Sequence, residues 1–283
     1  MNFNIIYIIP SYKRPKLLRD TTIKLLLKHN IKEATIFVSE EELFEYSELL
    51  CDLNIKINME TTKEIGIGNV RNYIRNFYPS GSNLLMIDDD IEDILEKNET
   101  TGKLESMIDI KKFNEKMFKI AIEKDIYIWG VQLHDNPYFM KKELVLGLNY
   151  INGSWTGHRI DKSKKEIKTD IDHFEDYLFS IKHFIRDRNV MKAGKVSLKT
   201  KCFNGNGGIC SQVGGFDKRK DHAFLNGHLL KSHFGKLLYL TKAKKYDNVV
   251  NIRFKCINWN ESYNKLLENY QNHLNLIIKY KKN

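Results

Sequence analysis

Long apolar runs are missing from this chain of 283 residues. The longest, Ile5–Pro10, is too short for a secretory signal or a membrane span, and Met1-Asn2-Phe3-Asn4 has no basic stretch. A cytoplasmic protein with no membrane partner is expected. Cysteine is scarce: Cys51, Cys202, Cys210 and Cys256 form no C-x-x-C pair, which excludes a zinc-ribbon site and a disulfide framework and leaves four free thiols. No G-x-G-x-x-G occurs, and Gly66 and Gly68 lie far from the first strand, so a nicotinamide or flavin site is excluded. Repeats and low-complexity linkers are absent too. With 42% hydrophobic and 29% charged residues, the chain has the composition of an ordinary globular protein. The last third is short of acids: residues 194–283 hold 17 Lys and Arg against 5 Asp and Glu, while residues 1–193 hold 29 against 31. A net charge of +10 concentrated at one end points to a polyanion there, either nucleic acid or an anionic surface; the bland reading is a solvated lysine-rich face.

What is present is organised around Asn83-Leu84-Leu85-Met86-Ile87-Asp88-Asp89-Asp90. A short apolar run after Gly81 reads as a buried strand that delivers three carboxylates to one point. Adjacent anions repel unless a cation lies among them, and a hard divalent metal bridging to phosphate oxygens is the economical partner. Alternatively, the aspartates cap a following helical turn over residues 91–95.

Around that strand the chain alternates. Residues 4–9 form a first strand closed by Pro10, and Ser11-Tyr12-Lys13-Arg14-Pro15 leads into a helix over residues 16–28 with Pro15 at its first position. Strands are expected at 34–38 and 55–57, and helices at 40–50 and from Gly66 to near Tyr78; the pattern argues an α/β fold with a parallel sheet. Beyond a polar loop at 98–106, a helix covers 110–123 and a strand 126–131. A Gly- and aromatic-containing segment occupies 147–160. A second acidic cluster, Asp170 to Asp176, opens an apolar helix. Residues 204–215, with five glycines, read as a loop. A helix comes next at 221–234, then short strands at 237–240 and 249–254, and an amphipathic helix at 261–280.

These patterns stand in an order that resembles glycosyltransferases of the GT-A fold. Ile9-Pro10-Ser11-Tyr12-Lys13-Arg14-Pro15 follows the first strand, Gly68-Asn69-Val70-Arg71-Asn72 precedes the acidic strand, Asp88-Asp89-Asp90 is a variant of the DxD motif, and Glu175-Asp176 comes later. More narrowly, residues 66–90 with Phe174-Glu175-Asp176-Tyr177 look like the phage glycosyltransferases associated with the TET/JBP oxygenase system, which act on 5-hydroxymethylpyrimidines in DNA. The resemblance implies a Rossmann-like, mostly parallel central sheet flanked by helices: a nucleotide-sugar-binding and catalytic core over residues 1–193, and a basic extension over 194–283 packed on it. It implies a UDP-sugar donor held with Mn2+ or Mg2+. Pro10, Ser11, Tyr12, Arg14, Arg71, Asp88 and Asp89 would bind the donor, and Asp90 and Asp88 the metal, with His222 a further candidate ligand beside His228 and His233. Asp176 would be the base of an inverting transfer, with Glu175 second; otherwise both are acids at a helix start, favoured by its dipole.

For the acceptor, Trp155, His158, Arg219 and Lys220 are the candidates, and the partner implied is double-stranded DNA carrying hydroxymethylated pyrimidines, met in the host cytoplasm if the gene is a phage's. Core packing competes as the role of Trp155. Two other readings stand beside this one: the same enzyme class acting on a surface glycan or lipid-linked acceptor, and a non-catalytic DNA-binding protein on a degenerate transferase fold.

Overall fold

The computed structural model describes residues 4–171, 173–201, 216–235, 237–242 and 250–254. The expected loop at 204–215 and helix at 261–280 lie outside them.

Strand β1 (Ile5–Pro10) is followed by a helical stretch in three pieces: α1 (Pro15–Leu18), a π-helical turn (Arg19–Ile23) and α2 (Lys24–Lys28). Periodicity alone predicts one continuous helix here; the wider turn is a tertiary feature. Then come β2 (Glu33–Ser39), α3 (Leu43–Leu50), β3 (Lys56–Thr62) and α4 (Ile67–Phe77). Strand β3 runs five residues past the expected end because its whole length pairs with β2, Lys56 with Glu33 through Thr62 with Ser39.

Strand β4 (Asn83–Ile87) ends at the three aspartates, and the next element is strand β5 (Ile91–Lys97) rather than a helix. Its inward positions Ile91 and Ile94 are fully buried, so the helix-cap reading of the aspartates fails. Next are β6 (Leu104–Ser106), inside the stretch read as loop, α5 (Ile110–Glu123), β7 (Ile128–Gln132), β8 (Leu144–Gly147), β9 (Trp155–Arg159), α6 (Glu175–Asp187) and β10 (Val190–Thr200). The described remainder is α7 (Phe216–His233) and a hairpin of β11 (Leu238–Lys242) and β12 (Val250–Phe254). Among the described residues no helix is long and apolar enough to cross a membrane.

One sheet runs β3-β2-β1-β4-β9-β7-β10-β5-β6, with β8 on β10. The first four strands are parallel; β9 enters antiparallel between β4 and β7, and β10 pairs parallel with β7 and antiparallel with β5. The boundary expected after residue 193 falls inside β10, whose first half pairs with β7 and second half with β5, so the sheet continues through it. β1 and β4 carry near-continuous apolar runs because both faces are covered: Tyr7, Ile9, Leu85 and Ile87 face the larger core with Trp129 and Trp155, and Ile8, Leu84 and Met86 face Val70 and Ile74 of α4. The C-terminal hairpin packs through Leu238 and Ile252 on Leu178, Ile181 and Ile185 of α6.

Candidate active site

The chain passes from β1 outward to β2 and β3, then returns to place β4 on the other side of β1. That reversal opens a crevice at the carboxyl ends of the two strands, the place where ligands bind in open α/β sheets. Ser11 and Asp88 to Asp90 stand at its lip.

The three aspartates are not equivalent. Asp88 is committed on both oxygens: Oδ1 takes Arg71 Nη2 at 2.7 Å and Oδ2 takes the Ser154 hydroxyl at 2.6 Å. Asp89 is 1% exposed; Oδ2 accepts from Ser11 Oγ at 2.6 Å, and Arg14 Nη2 lies 2.8 Å from Oδ1. Burial pushes it up to about 6, against the pull of Arg14 and Ser11. The proton of Ser11 is used on Asp89, so at 2.7 Å the Tyr46 hydroxyl must donate to Ser11, while it accepts the Arg14 amide at 3.0 Å. Among the described residues Asp90 has only Arg14 Nη1, at 4.0 Å, as an ion-pair partner. Burial, then the charges of Asp88 and Asp89, push it up to about 7.

The π-helical turn holds this run from behind. Thr21 Oγ1 donates to the Asp89 carbonyl and Thr22 Oγ1 to the Asp88 carbonyl, both at 2.8 Å, and Thr22 Oγ1 accepts the Ile91 amide at 3.0 Å. Two consecutive hydroxyls thus satisfy the Asp88 and Asp89 carbonyls and the Ile91 amide where the chain turns from one strand to the next.

Helix α4 begins at Gly66, whose φ of 89° is open to glycine. It carries Arg71, 8% exposed, inward to a double ion pair: Nη2 on Asp88 and Nη1 on Glu175. Glu175 starts α6 behind Phe174, a left-handed N-cap with φ 64°, a strained conformation of the kind found at functional sites. Burial raises Glu175 above the ordinary carboxylate range, against Arg71. Next to it, Asp176 is half-buried and pushed up to about 7 by loss of solvent and by Glu175, against Tyr150 and Arg71. Its Oδ2 accepts from the Tyr150 hydroxyl, and its Oδ1 takes the Tyr177 amide at 2.9 Å. Arg71, Arg75, Thr156, His158, Glu175 and Asp176 line a cavity of about 20 Å³, with room for a water molecule.

The structure therefore links the predicted residues in two neighbouring groups, Ser11 and Arg14 with Asp89 and Asp90, and Asp88 through Arg71 with Glu175, beside which stands Asp176. Pro10 ends β1 beside them; Tyr12 lies beneath the Lys13 ammonium at 5.2 Å from the ring centre. Trp155 must be corrected: it is fully buried, with its indole nitrogen 3.2 Å from Asn114 Oδ1, and so fills the core instead of meeting an acceptor. His158 is 4% exposed and held neutral, well below the ordinary histidine value, by burial and by Arg75; it reaches the small cavity and not the surface. His222 is exposed on α7 and Lys220 half-buried there, while the Arg219 side chain lies outside the described residues, as does that of Asp172. Tyr150, Asn152 and Ser154, which grip Asp176 and Asp88, escape a reading of the sequence. The only signal there is a polar Asn-Gly-Ser turn before a strand.

Among the described residues no three His, Cys, Asp or Glu side chains form a ready-made metal cage. The donor set still fits Mg2+ or Mn2+, which a phosphate ligand shares with one or two carboxylates. Among the described residues Asp90 is the least engaged of the three, because Asp88 and Asp89 are occupied at short range by arginine and hydroxyl partners and Asp90 meets Arg14 only at 4.0 Å.

No family model matches the sequence, and neither does any curated protein. Among solved structures the chain is similar to the mannosyltransferase PcManGT of Pyrobaculum calidifontis, solved with GDP-Man and Mn2+. The TM-score is 0.52 at 10% identity, covering 80% of this chain and 64% of that one. It is also similar to S. aureus TarS 1–349, with a TM-score of 0.48 at 14% identity, covering 81% and 66%. Mouse xyloside xylosyltransferase 1 gives a TM-score of 0.36 at 10% identity, covering 56% and 68%. The chain spans just under two thirds of the first two. At such identities the likeness concerns the fold: a large, mostly parallel sheet flanked by helices, as in GT-A glycosyltransferases.

Proposed function

We propose that this protein is a glycosyltransferase that takes its sugar from a nucleoside diphosphate sugar, a UDP-sugar in the first instance, with Mn2+ or Mg2+ at Asp90. The observation that carries the reading is the asymmetry of the aspartates: two are tied into the protein by short contacts, and the third has, among the described residues, no cation nearer than Arg14 at 4.0 Å. The metal, when bound, would neutralise charge developing on the departing diphosphate. This chain's own residues do the rest. Ser11, Tyr12 and Arg14 at the end of β1 hold the nucleotide, with Arg71 bracing Asp88. Asp176 takes the proton of the acceptor hydroxyl as its oxygen bonds to the anomeric carbon and the carbon–phosphate-oxygen bond breaks, the electron pair leaving with the diphosphate. A carboxyl pushed up to about 7 is matched to that task near neutral pH.

For the acceptor, the 17-to-5 excess of basic over acidic residues after position 193 favours a polyanion such as duplex DNA, and the resemblance to DNA-modifying transferases makes the hydroxyl of a 5-hydroxymethylpyrimidine, cytosine or uracil, the group to test. A glycan acceptor is the second reading, favoured by Tyr138 and Phe139, 70% and 63% exposed in the loop after β7, which leave aromatic surface at the solvent although Lys141 lies over the Tyr138 ring. The test is mass spectrometry of hydroxymethylcytosine-containing DNA, and separately of a glycan panel, after incubation with the protein, Mn2+ and a set of nucleotide sugars. A hexose or pentose mass gain on the DNA supports the first acceptor, and a gain on glycans alone the second. Neither transfer nor donor hydrolysis with any sugar nucleotide would overturn the enzyme assignment in favour of a binding protein.

A further inference from the structure

The five-residue loop Tyr150-Ile151-Asn152-Gly153-Ser154, ahead of β9, touches both halves of the site. At one end Ser154 grips Asp88, through its hydroxyl to Oδ2 and its carbonyl to the Asp88 amide at 3.0 Å. At the other, the Tyr150 ring stacks on Tyr177 of α6, centroids 4.1 Å apart and planes 23° from parallel, and its hydroxyl reaches Asp176 Oδ2.

The direction of that last bond is set by its neighbours. The Ser154 amide donates to Asn152 Oδ1 at 2.8 Å, which turns the amide nitrogen of Asn152 toward Tyr150. Asn152 Nδ2 then lies 3.0 Å from the phenolic oxygen and 3.5 Å from Asp176 Oδ2. Having accepted from Asn152, the phenol has its single hydrogen left for Asp176. Desolvation and the adjacent Asp176 keep that hydrogen in place, holding Tyr150 well above the ordinary tyrosine value.

We propose that Tyr150, oriented by Asn152, is the positioning residue of Asp176: its hydroxyl fixes one carboxylate oxygen in place and favours the ionised form that must accept the proton of the acceptor. This rests on the reading of Asp176 as the base. Around Asp176 stand Glu175 on its own helix, Arg71 on α4, Tyr150 on the loop and Tyr177 behind, with Arg75 and His158 on the same cavity. Desolvation and Glu175 oppose ionisation; Tyr150, Arg71 and the Tyr177 amide support it. A hydrogen bond to the charged form is the support that a single oxygen atom can remove.

Tyr150→Phe keeps the ring on Tyr177 and deletes only that oxygen. The expected result is a drop in kcat of roughly 10- to 100-fold, donor KM within about twofold, and the acid limb of the kcat–pH profile moved up by about one unit. Asn152→Ala should move the limb the same way by less. A 13C-carboxyl NMR titration, with Asp176 assigned through Asp176→Asn, reads the same upward movement without turnover. If the wild type transfers sugar and Tyr150→Phe leaves both the limb and the titration where they were, the inference is overturned while the enzyme reading stands. If the wild type transfers nothing but the titration moves, Tyr150 holds the carboxylate as inferred and it is the catalytic reading that fails.

Discussion

Replacing Arg71 with methionine probes the joint between the two halves of the site. The guanidinium is paired with Asp88 at 2.7 Å and with Glu175, and the side chains of Arg71 and Glu175 are each 10% exposed, that of Asp88 28%. Methionine fills much of the volume but leaves two carboxylates facing each other, with Asp176 alongside. Breaking a buried pair by removing one partner costs about 3–5 kcal/mol, and the part-wet Asp88 sets the expected loss at about 4 kcal/mol. For 283 residues the unfolding entropy is on the order of 0.6 kcal/mol/K, so the melting temperature should fall by about 7 °C at pH 8. The drop should shrink at pH 5. Without Arg71 the folded-state values of Glu175 and Asp176 rise further above their unfolded values; a raised group costs stability above its folded value and stops doing so once protonated. Calorimetric melts of metal-free protein at the two pH values check both parts. A drop of less than about 2 °C at pH 8, or one equal at both pH values, would refute the claim that Arg71 neutralises this cluster.

Asp90→Asn should abolish Mn2+ binding read by electron paramagnetic resonance and leave the metal-free melting temperature unchanged or higher. Asp89→Asn should instead destabilise the fold, since Asp89 anchors Ser11 and Arg14. Gly153→Ala drives a methyl into the Arg71 guanidinium, well inside van der Waals contact, so the guanidinium must swing off its partners. Transfer activity should fall at least tenfold with a smaller loss of stability than in Arg71→Met, and a crystal structure should show Arg71 displaced. On α6, His183 Nδ1 lies 2.8 Å from Asp187 Oδ2, and burial pulls the imidazole down to about 4. A depressed value means stability present above pH 6.5 and lost as pH falls through 4; the wild type should therefore lose more stability over that window than His183→Gln, measured by urea melts.

The parts of the site that lie within a few residues of one another were legible without the fold. Strand β4 with its acids, the β1-to-helix loop and the Gly66 helix start all announce themselves by short-range apolar pattern and turn chemistry. Strand β10 did not: its inward run is broken by Lys192, Gly194 and Lys195, and pairing with β7, β8 and β5 makes it a strand. The same is true of Trp155, because an aromatic beside glycines reads alike whether it fills a core or a pocket.

Local order thus determined that three carboxylates meet at the end of a central strand, that an arginine precedes them and that a Glu-Asp pair opens a later helix. Which carboxylate stays free was decided only in three dimensions. Arg71 reaches Glu175 across 104 residues, Ser11 reaches Asp89 across 78 and Ser154 reaches Asp88 across 66. Hydrogen bonds and ion pairs act over about 3 Å of space whatever the distance along the chain, so the motif could nominate Asp90 for a metal but no spacing in the sequence could have shown which aspartates are tied up by partners or found Tyr150 beside Asp176.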